Sequence, residues 1–373
     1  MKIKSITLTT GIFPPDIGGP ASFIPIFAQQ LVNKGINVTV ITLTDKLEDD
    51  SYLPYKVIRI SRKIKKPLRD FLVIKEIIKS AKKSDLIFSN TLAFESAIAS
   101  ILSGKKLVQK IVGDIAWERA NVNGRFKGTL EEYQDRNLDI VSVLTNWYRN
   151  FSVNKSHLII TPSSYLKNIV NSWGYKKDYI EVIHNAVEFK SAVKVIPKDK
   201  IRIISVARLI PLKSIDNVIK ALSKLKFEFE YIVIGDGPLK NKLKELSKKL
   251  NVNTIFLGSI TKEEVANYLK SSDVFIQNSS HETMPHVVLE AMENSCPVIA
   301  SCVGGTSEII EDMKNGLLFR HNNISELYDK IMIVKENNEL REQLIKNGKK
   351  FTKEFADINK MVNQYTNIME EII

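Results

Sequence analysis

Short, nearly continuous apolar runs recur along this chain, separated by segments of helical period, and that alternation narrows the fold more than any other feature. The runs at residues 201–207 (IRIISVA), 231–235 (YIVIG), 254–257, 274–277 and 298–301 carry few polar residues. Strands of that kind are buried on both faces, as in parallel sheets covered by helices. Helical period appears between them, at 215–225 and 239–250. The first half shows the same order less cleanly. Residues 2–9 are β-rich, 13–20 hold Gly and Pro, 23–34 have helical apolar spacing, and 38–43 are β-rich again. Strand, glycine loop, helix, strand is the βαβ order. Further core strands are expected at 86–89, 107–112, 158–161 and 180–183, and Ser163 and Ser164 are suited to start a helix over 165–173.

The expected fold class is therefore α/β. A length of 373 residues exceeds the usual size of one domain, and the halves suggest two Rossmann-like domains. Residues 188–200 form the best linker, with a Pro, several charges and no helical period. The expected domains are 1–190 and 191–350, followed by a tail, 351–373. In that tail Phe351, Phe355, Ile358, Val362 and Tyr365 recur about three or four apart and need a partner surface.

Charge is uneven. The net charge is +12, of which residues 1–190 hold +10, with 28 Lys and Arg against 18 Asp and Glu. The sequence RKIKK at 62–66 runs into an apolar-basic segment, 67–83. An anionic membrane surface, an acidic acceptor or nucleic acid would suit such a face, and so would plain solvent. The longest apolar stretch, 86–102, is interrupted by Asn90 and Glu95, so no membrane span is expected. The first ten residues lack the apolar core of a secretory leader. Cys296 and Cys302 flank an apolar segment and fit a reduced interior better than a disulfide. A cytoplasmic location is expected, with peripheral contact at the inner face of the cytoplasmic membrane.

The densest chemistry lies between Gln277 and Thr306. The sequence QNSSHETMPHVVLEAM begins at the end of a strand, and Pro285 suits a helix start. Open parallel sheets bind ligands beyond the carboxyl ends of their strands, which puts Glu282 in a ligand crevice and Glu290 on the following helix. Carboxylates grip vicinal hydroxyls, so this pair could hold two rings; either could also serve the helix alone. Arg208 and Lys213, in VARLIPLK after another strand, offer a rigid fork of donors and a mobile point charge. Together they suit a diphosphate whose charge grows as it leaves. The turn GDGP at 235–238, with Gly235, and SCVGGTSEII, with Gly304, Gly305 and Thr306, supply glycine turns whose N–H groups could meet phosphate or sugar oxygens. The loop from Gly11 to Pro20 lacks the spacing of a nicotinamide fingerprint, and no P-loop is present. No acidic set or Cys/His cluster predicts a metal.

In order, these motifs resemble the retaining GT-B glycosyltransferases of family 4 over essentially the full length. The resemblance rests on Gly18–Gly19, IEVIHNAVE, VARLIPLKSID, VIGDGP, and the pair Glu282 and Glu290 separated by seven residues. It implies a GT-B fold, two Rossmann-like domains facing each other across a cleft. It implies that Arg208 and Lys213 hold the donor diphosphate, Glu290 the ribose and Glu282 the transferred hexose. Thr283, Met284, Pro285 and His286, with Gly304, Gly305 and Thr306, would line the sugar-diphosphate pocket. Gly18 and Gly19 would close over the phosphates, and the last helix would cross back onto the first domain.

The sequence departs from the family where Thr283 follows Glu282 and where Ala186 replaces the usual Gly after Asn185. An Ala there speaks against left-handed backbone or implies strain. Where many members carry an acceptor-side His, this chain offers VGDIAWE, with Asp114 as the candidate to orient the acceptor hydroxyl or contact the hexose, or else a loop cap. The expected reaction moves a hexosyl group from a UDP- or GDP-sugar to a glycan, glycolipid or lipid-linked saccharide, as in polysaccharide biosynthesis. No bound cofactor, no metal and no nucleic acid partner are expected. The alternatives are a sugar-nucleotide epimerase of the same fold, a phosphorylase-like enzyme and a non-catalytic glycan-binding protein.

Overall fold

The computed structural model of the chain describes residues 2–46, 48–135, 138–175, 179–355 and 357–373, so Met1, the first residue of the domain expected over 1–190, lies outside them. It divides into two compact units. One runs to His184 and includes Asn359–Ile373; the other is Asn185–Ile358. The second unit thus begins at Asn185, ahead of the linker.

Among the described residues, unit 1 holds seven parallel strands: β1 (Ser5–Thr10), β2 (Asn37–Thr44), β3 (Lys56–Ser61), β4 (Leu86–Ser89), β5 (Lys106–Lys110), β6 (Leu158–Thr161) and β7 (Ile180–Val182), in the order β3-β2-β1-β4-β5-β6-β7. The described residues of unit 2 hold six: β8 (Ile201–Val206), β9 (Phe229–Ile234), β10 (Thr254–Gly258), β11 (Val274–Gln277), β12 (Val298–Ser301) and β13 (Leu317–Phe319), in the order β10-β9-β8-β11-β12-β13. Both are doubly wound, and each reverses strand order once, between β1 and β4 and between β8 and β11. The apolar runs fill both faces of the second sheet. Ile203, Tyr231, Val233 and Ile276 enter one core, while Ile204, Ile232, Ile234 and Phe275 enter the other. That is the two-residue alternation of a strand buried on both sides.

The tail divides between the units. Phe351 and Phe355 stack at 5.2 Å and pack against a core of unit 2. The helix Ile358–Glu371 then buries Met361, Val362, Tyr365 and Met369. Tyr365 meets Phe23, Phe27 and Phe88 of unit 1 at centroid distances of 5.9, 5.0 and 5.8 Å. The apolar face expected to act as one therefore serves two cores. Lys110 at the end of β5 points Nζ at the face of Phe23, 3.0 Å from the centroid, and its burial holds its pKa well below the ordinary lysine value.

Tyr365 is fully buried, and its hydroxyl has no hydrogen-bond partner among the described residues. Removing that hydroxyl removes a desolvation cost, whereas removing the ring leaves a cavity. In urea denaturation, Tyr365→Phe is expected to match or exceed the parent, and Tyr365→Ala to lose about 3–5 kcal/mol.

Candidate active site

The site residues of unit 2 sit on the loops that follow β8 and β11, the two strands that flank its reversal of order. Two glycine turns hold these loops. After β9, a Cβ on Gly235 would stand 2.0 Å from the Ala207 carbonyl oxygen, and one on Gly237 would stand 2.5 Å from that of Leu209. No side chain fits there. The turn instead exchanges backbone hydrogen bonds with the loop: the Leu209 amide donates to Asp236 at 2.9 Å, and the Leu239 amide to Leu209 at 3.1 Å. After β12, a Cβ on Gly305 would stand 2.1 Å from the Thr283 carbonyl oxygen, and the Gly305 amide donates to Glu282 at 2.8 Å.

The two loops are also tied to each other. The Ser280 amide donates to Leu212 at 2.8 Å, and Asn278 Nδ2 to Ser214 at 3.2 Å. Lys213 Nζ pairs with Glu282 Oε1, which also accepts from Ser279 Oγ at 2.6 Å and Gln277 Nε2 at 3.0 Å. Lys213 ends a short 3-10 turn, Pro211–Lys213, closed by Ser214 in left-handed backbone, whose hydroxyl lies 3.1 Å from His321 Nε2. Arg208 is exposed and has no ion pair or side-chain hydrogen bond among the described residues. Buried polar atoms with spare hydrogen-bonding capacity gather at these loops, namely Gln277 Oε1, Asn278 Oδ1 and Thr306 Oγ1. The polar partners Gln277, Ser279 and Asn278 were not singled out from the sequence, although they stand in the same QNSSHE segment.

Other expected lining residues divide by burial. Met284 and Pro285 are buried, and Met284 belongs to the hydrophobic core. Pro285 caps the helix His286–Glu293, whose Val288, Leu289, Ala291 and Met292 face inward. Thr283 and His286 stay partly exposed, and His286 Nε2 lies 3.4 Å from the Asn185 side-chain nitrogen. Ala186 is not among the residues with left-handed backbone, as its side chain requires.

Glu290 stands apart from the Lys213–Glu282 pair. It lines a recess with Glu188, Lys190, Lys262, Val265 and Asn294. Its carboxylate has no hydrogen bond or ion pair among the described residues. Burial pushes its pKa up from the ordinary 4.5, and Lys262 opposes the shift in part.

In unit 1, Gly18 precedes the helix Gly19–Asn33, and its loop is gripped from the β3 side. Arg59 donates to Asp50 at 2.7 Å and to the Pro14 carbonyl at 2.9 Å. Arg62 pairs with Asp16 at 2.5 Å and Asp45 at 2.8 Å and donates to Gly11 at 2.8 Å. Arg62, read as part of a basic face, is thus spent internally.

Of the two expectations for Asp114, an acceptor or hexose contact and a loop cap, its surroundings match the cap. The side chain is fully buried. One oxygen caps the helix Ile115–Val122, accepting from the Ala116 amide at 2.9 Å and the Trp117 amide at 3.3 Å. The other pairs with Arg149 and accepts from Gln134 Nε2 at 3.1 Å. Arg149 itself lies 4.0 Å over the Trp173 ring. Among the described residues, no group of three or more His, Cys, Asp and Glu is arranged to hold a metal ion.

Residues 17–190 match the family model described as Glycosyltransferase Family 4, and residues 186–351 the one described as Glycosyl transferases group 1. The chain is 28% identical over 356 residues to an uncharacterized glycosyltransferase of Methanocaldococcus jannaschii, covering 94% of this chain and 93% of that one. It is 32% identical over 187 residues to the alpha-monoglucosyldiacylglycerol synthase of Acholeplasma laidlawii, covering 49% of this chain and 46% of that one. Its fold is similar to that of Anabaena HepE in complex with UDP and glucose, with a TM-score of 0.79 at 18% identity, covering 99% of this chain and all of the other.

Two outcomes follow from the buried acids. Asp114→Ala strands Arg149 in the core, so chemical denaturation should show a loss of about 3–5 kcal/mol, much of it recovered when Arg149→Met is added. For Glu290, a raised folded pKa means that its contribution favours folding below pH 4.5 and is lost as pH rises through the raised value. Glu290→Gln should therefore melt higher than the parent at neutral pH. The difference should vanish below about pH 4.5, as thermal melts across pH would record.

Proposed function

This chain belongs to the GT-B glycosyltransferases built from the family 4 and group 1 modules, and from that premise we propose a retaining hexosyltransferase that uses a nucleoside-diphosphate sugar. The observation that carries this reading is the exposed Arg208, unpartnered among the described residues, on a rigid loop beside the Lys213–Glu282 pair. A diphosphate needs cations held still and not already neutralised. Arg208 keeps its five donors for the leaving group, and Lys213 has two of its three N–H bonds to spare beyond Glu282. Glu282, oriented by Ser279 and Gln277, takes hydroxyls of the hexose. Glu290 takes the ribose hydroxyls, which restore hydrogen bonds to its buried carboxylate. Thr283, His286 and the Gly304–Gly305 turn complete the pocket around the sugar. The similarity in fold to HepE, solved with UDP and glucose, favours a UDP-sugar as donor.

In this mechanism the acceptor oxygen attacks the anomeric carbon from the side on which its bond to the diphosphate breaks. The hydroxyl proton passes to an oxygen of the departing diphosphate, and the configuration is kept. Charge grows on the diphosphate as the bond lengthens, so Arg208 and Lys213 act mainly on the transition state. The similarity to a glucosyldiacylglycerol synthase, with the basic first half, favours a lipid or lipid-linked acceptor.

Arg208→Ala should lower turnover by about 10²–10³ while leaving the melting temperature unchanged, since the side chain has no partner among the described residues. Assays with radiolabelled UDP-, GDP- and ADP-sugars should release nucleoside diphosphate and label an acceptor with one of them. Normal turnover in Arg208→Ala would remove its assigned role. An epimerised donor with no labelled acceptor would instead identify an epimerase.

A further inference from the structure

The helix Ile140–Lys155 of unit 1 is built inside out. Its buried residues are Ser142, Arg149, Ser152 and Val153, three of them polar. Apart from Lys155 at its end, its exposed residues are Ile140, Val141, Val143, Leu144, Trp147 and Tyr148, at 46–80% exposure. These recur at three and four residues, which places them along one stripe. No charged side chain occurs from Ile140 to Tyr148. The rings are held by packing: Phe94 lies 4.6 Å from Tyr148 and 5.3 Å from Phe151, and Trp147 stacks 5.7 Å from Phe151.

This helix covers one sheet face together with Ala93–Ser103 and Lys66–Ala81. Lys66–Ala81 buries Val73, Ile77 and Ala81 against that sheet. It exposes Leu68 and Phe71 and, further along the same side, Lys75 and Lys79, with Lys82 just beyond its end. Beyond the internally paired Arg62, residues 63–83 hold seven exposed lysines against two acidic side chains, Asp70 and Glu76. Each of the three helices joins parallel strands and so begins at the carboxyl edge of the sheet, where open sheets bind ligands. Leu68, Phe71 and the Ile140–Tyr148 stripe lie toward that edge.

We infer that this helical layer docks unit 1 on an anionic lipid bilayer, with the Ile140–Tyr148 stripe in the interface and the lysines of Lys66–Ala81, across Ala93–Ser103 from it, on the headgroups. An uncharged apolar stripe, an interfacial Trp and Tyr, and lysines able to extend past it are the chemistry that lies in a bilayer surface. A protein partner would not need the lysine excess, which selects for a negative surface. The inference names a surface for the proposed lipid-linked acceptor, yet it concerns unit 1 alone and can fail without the donor-site reading failing.

Of the three tryptophans, Trp117 and Trp173 are buried and Trp147 is 56% exposed, so Trp147 reports on this surface. With the full chain and vesicles of phosphatidylcholine and phosphatidylglycerol at low salt, its emission should shift to the blue and resist aqueous quenchers, and the protein should co-sediment. Leu144→Ser with Trp147→Ser should weaken co-sedimentation at least about tenfold with the melting temperature preserved. Lys75→Glu, Lys79→Glu and Lys82→Glu together should abolish the preference for anionic over pure phosphatidylcholine vesicles. An unchanged Trp147 spectrum with no co-sedimentation at low salt would overturn the inference. So would a dimer in sedimentation equilibrium that the serine variant dissolves while vesicles bind neither form. Stabilisation by nucleotide sugar, measured without vesicles, reads the donor site separately.

Discussion

Backbone lies directly on backbone at three glycines of unit 2, and the geometry of its charged loops depends on that contact. Gly235 and Gly237 press against residues 207–209, and Gly305 presses against Thr283, all at distances that no Cβ could occupy. The loops carrying Arg208, Lys213 and Glu282 are therefore positioned by peptide groups. Their charges need not hold the loops in place, which frees them for a ligand. A cation anchored by its own ion pair gives much of its field to that partner. Lys213 does so in part, through Glu282, whereas Arg208 does not.

Unit 1 treats its charges in the opposite way. Arg59 and Arg62 clamp the loop before Gly18, and Arg149 neutralises a buried carboxylate. These guanidiniums count toward the +10 of the first half, yet they face inward and give little to a partner. The exposed positive charge comes from lysines such as Lys75, Lys79, Lys82 and Lys83. That division follows from the side chains themselves, since a planar fork satisfies several fixed acceptors at once and a flexible ammonium suits water.

The strands most apolar in sequence were the most legible. Residues 86–89, 158–161 and 274–277 coincide with β4, β6 and β11, because a strand buried on both faces leaves little room for polar residues. The edge-side β3, KVIRIS, does not stand out in the sequence, since an exposed Lys56 and an ion-paired Arg59 break its apolar run, and β13 is too short to stand out. The glutamate pair and the two cations were legible as residue types at strand ends. What they touch was not, because Lys213 and Glu282 are 69 positions apart and meet only through the order of β8 and β11. In the sequence Asp114 reads as a contact of the acceptor hydroxyl or the hexose, or else as a loop cap. Its partners Gln134 and Arg149 are 20 and 35 residues away, and no local pattern announces them.

That buried carboxylate also accounts for the inverted helix. Asp114 is tied to the end of β5 by three residues and gives one oxygen to the helix it caps, so its other oxygen needs a donor from the neighbouring element. Arg149 supplies it and must face inward to do so. On an α-helix that choice fixes the rest. Ser142 and Ser152, seven before and three after, fall on the same side and are buried with it. Ile140, Leu144, Trp147 and Tyr148 then have no direction left but outward. A helix with this sequence could bury its apolar stripe by rotating, but rotation would leave Asp114 charged and unpaired in the core, at a cost of about 3–5 kcal/mol, and would strand Arg149 as well. The exposed stripe is held in place by electrostatics beneath it, so its exposure is a property of the fold.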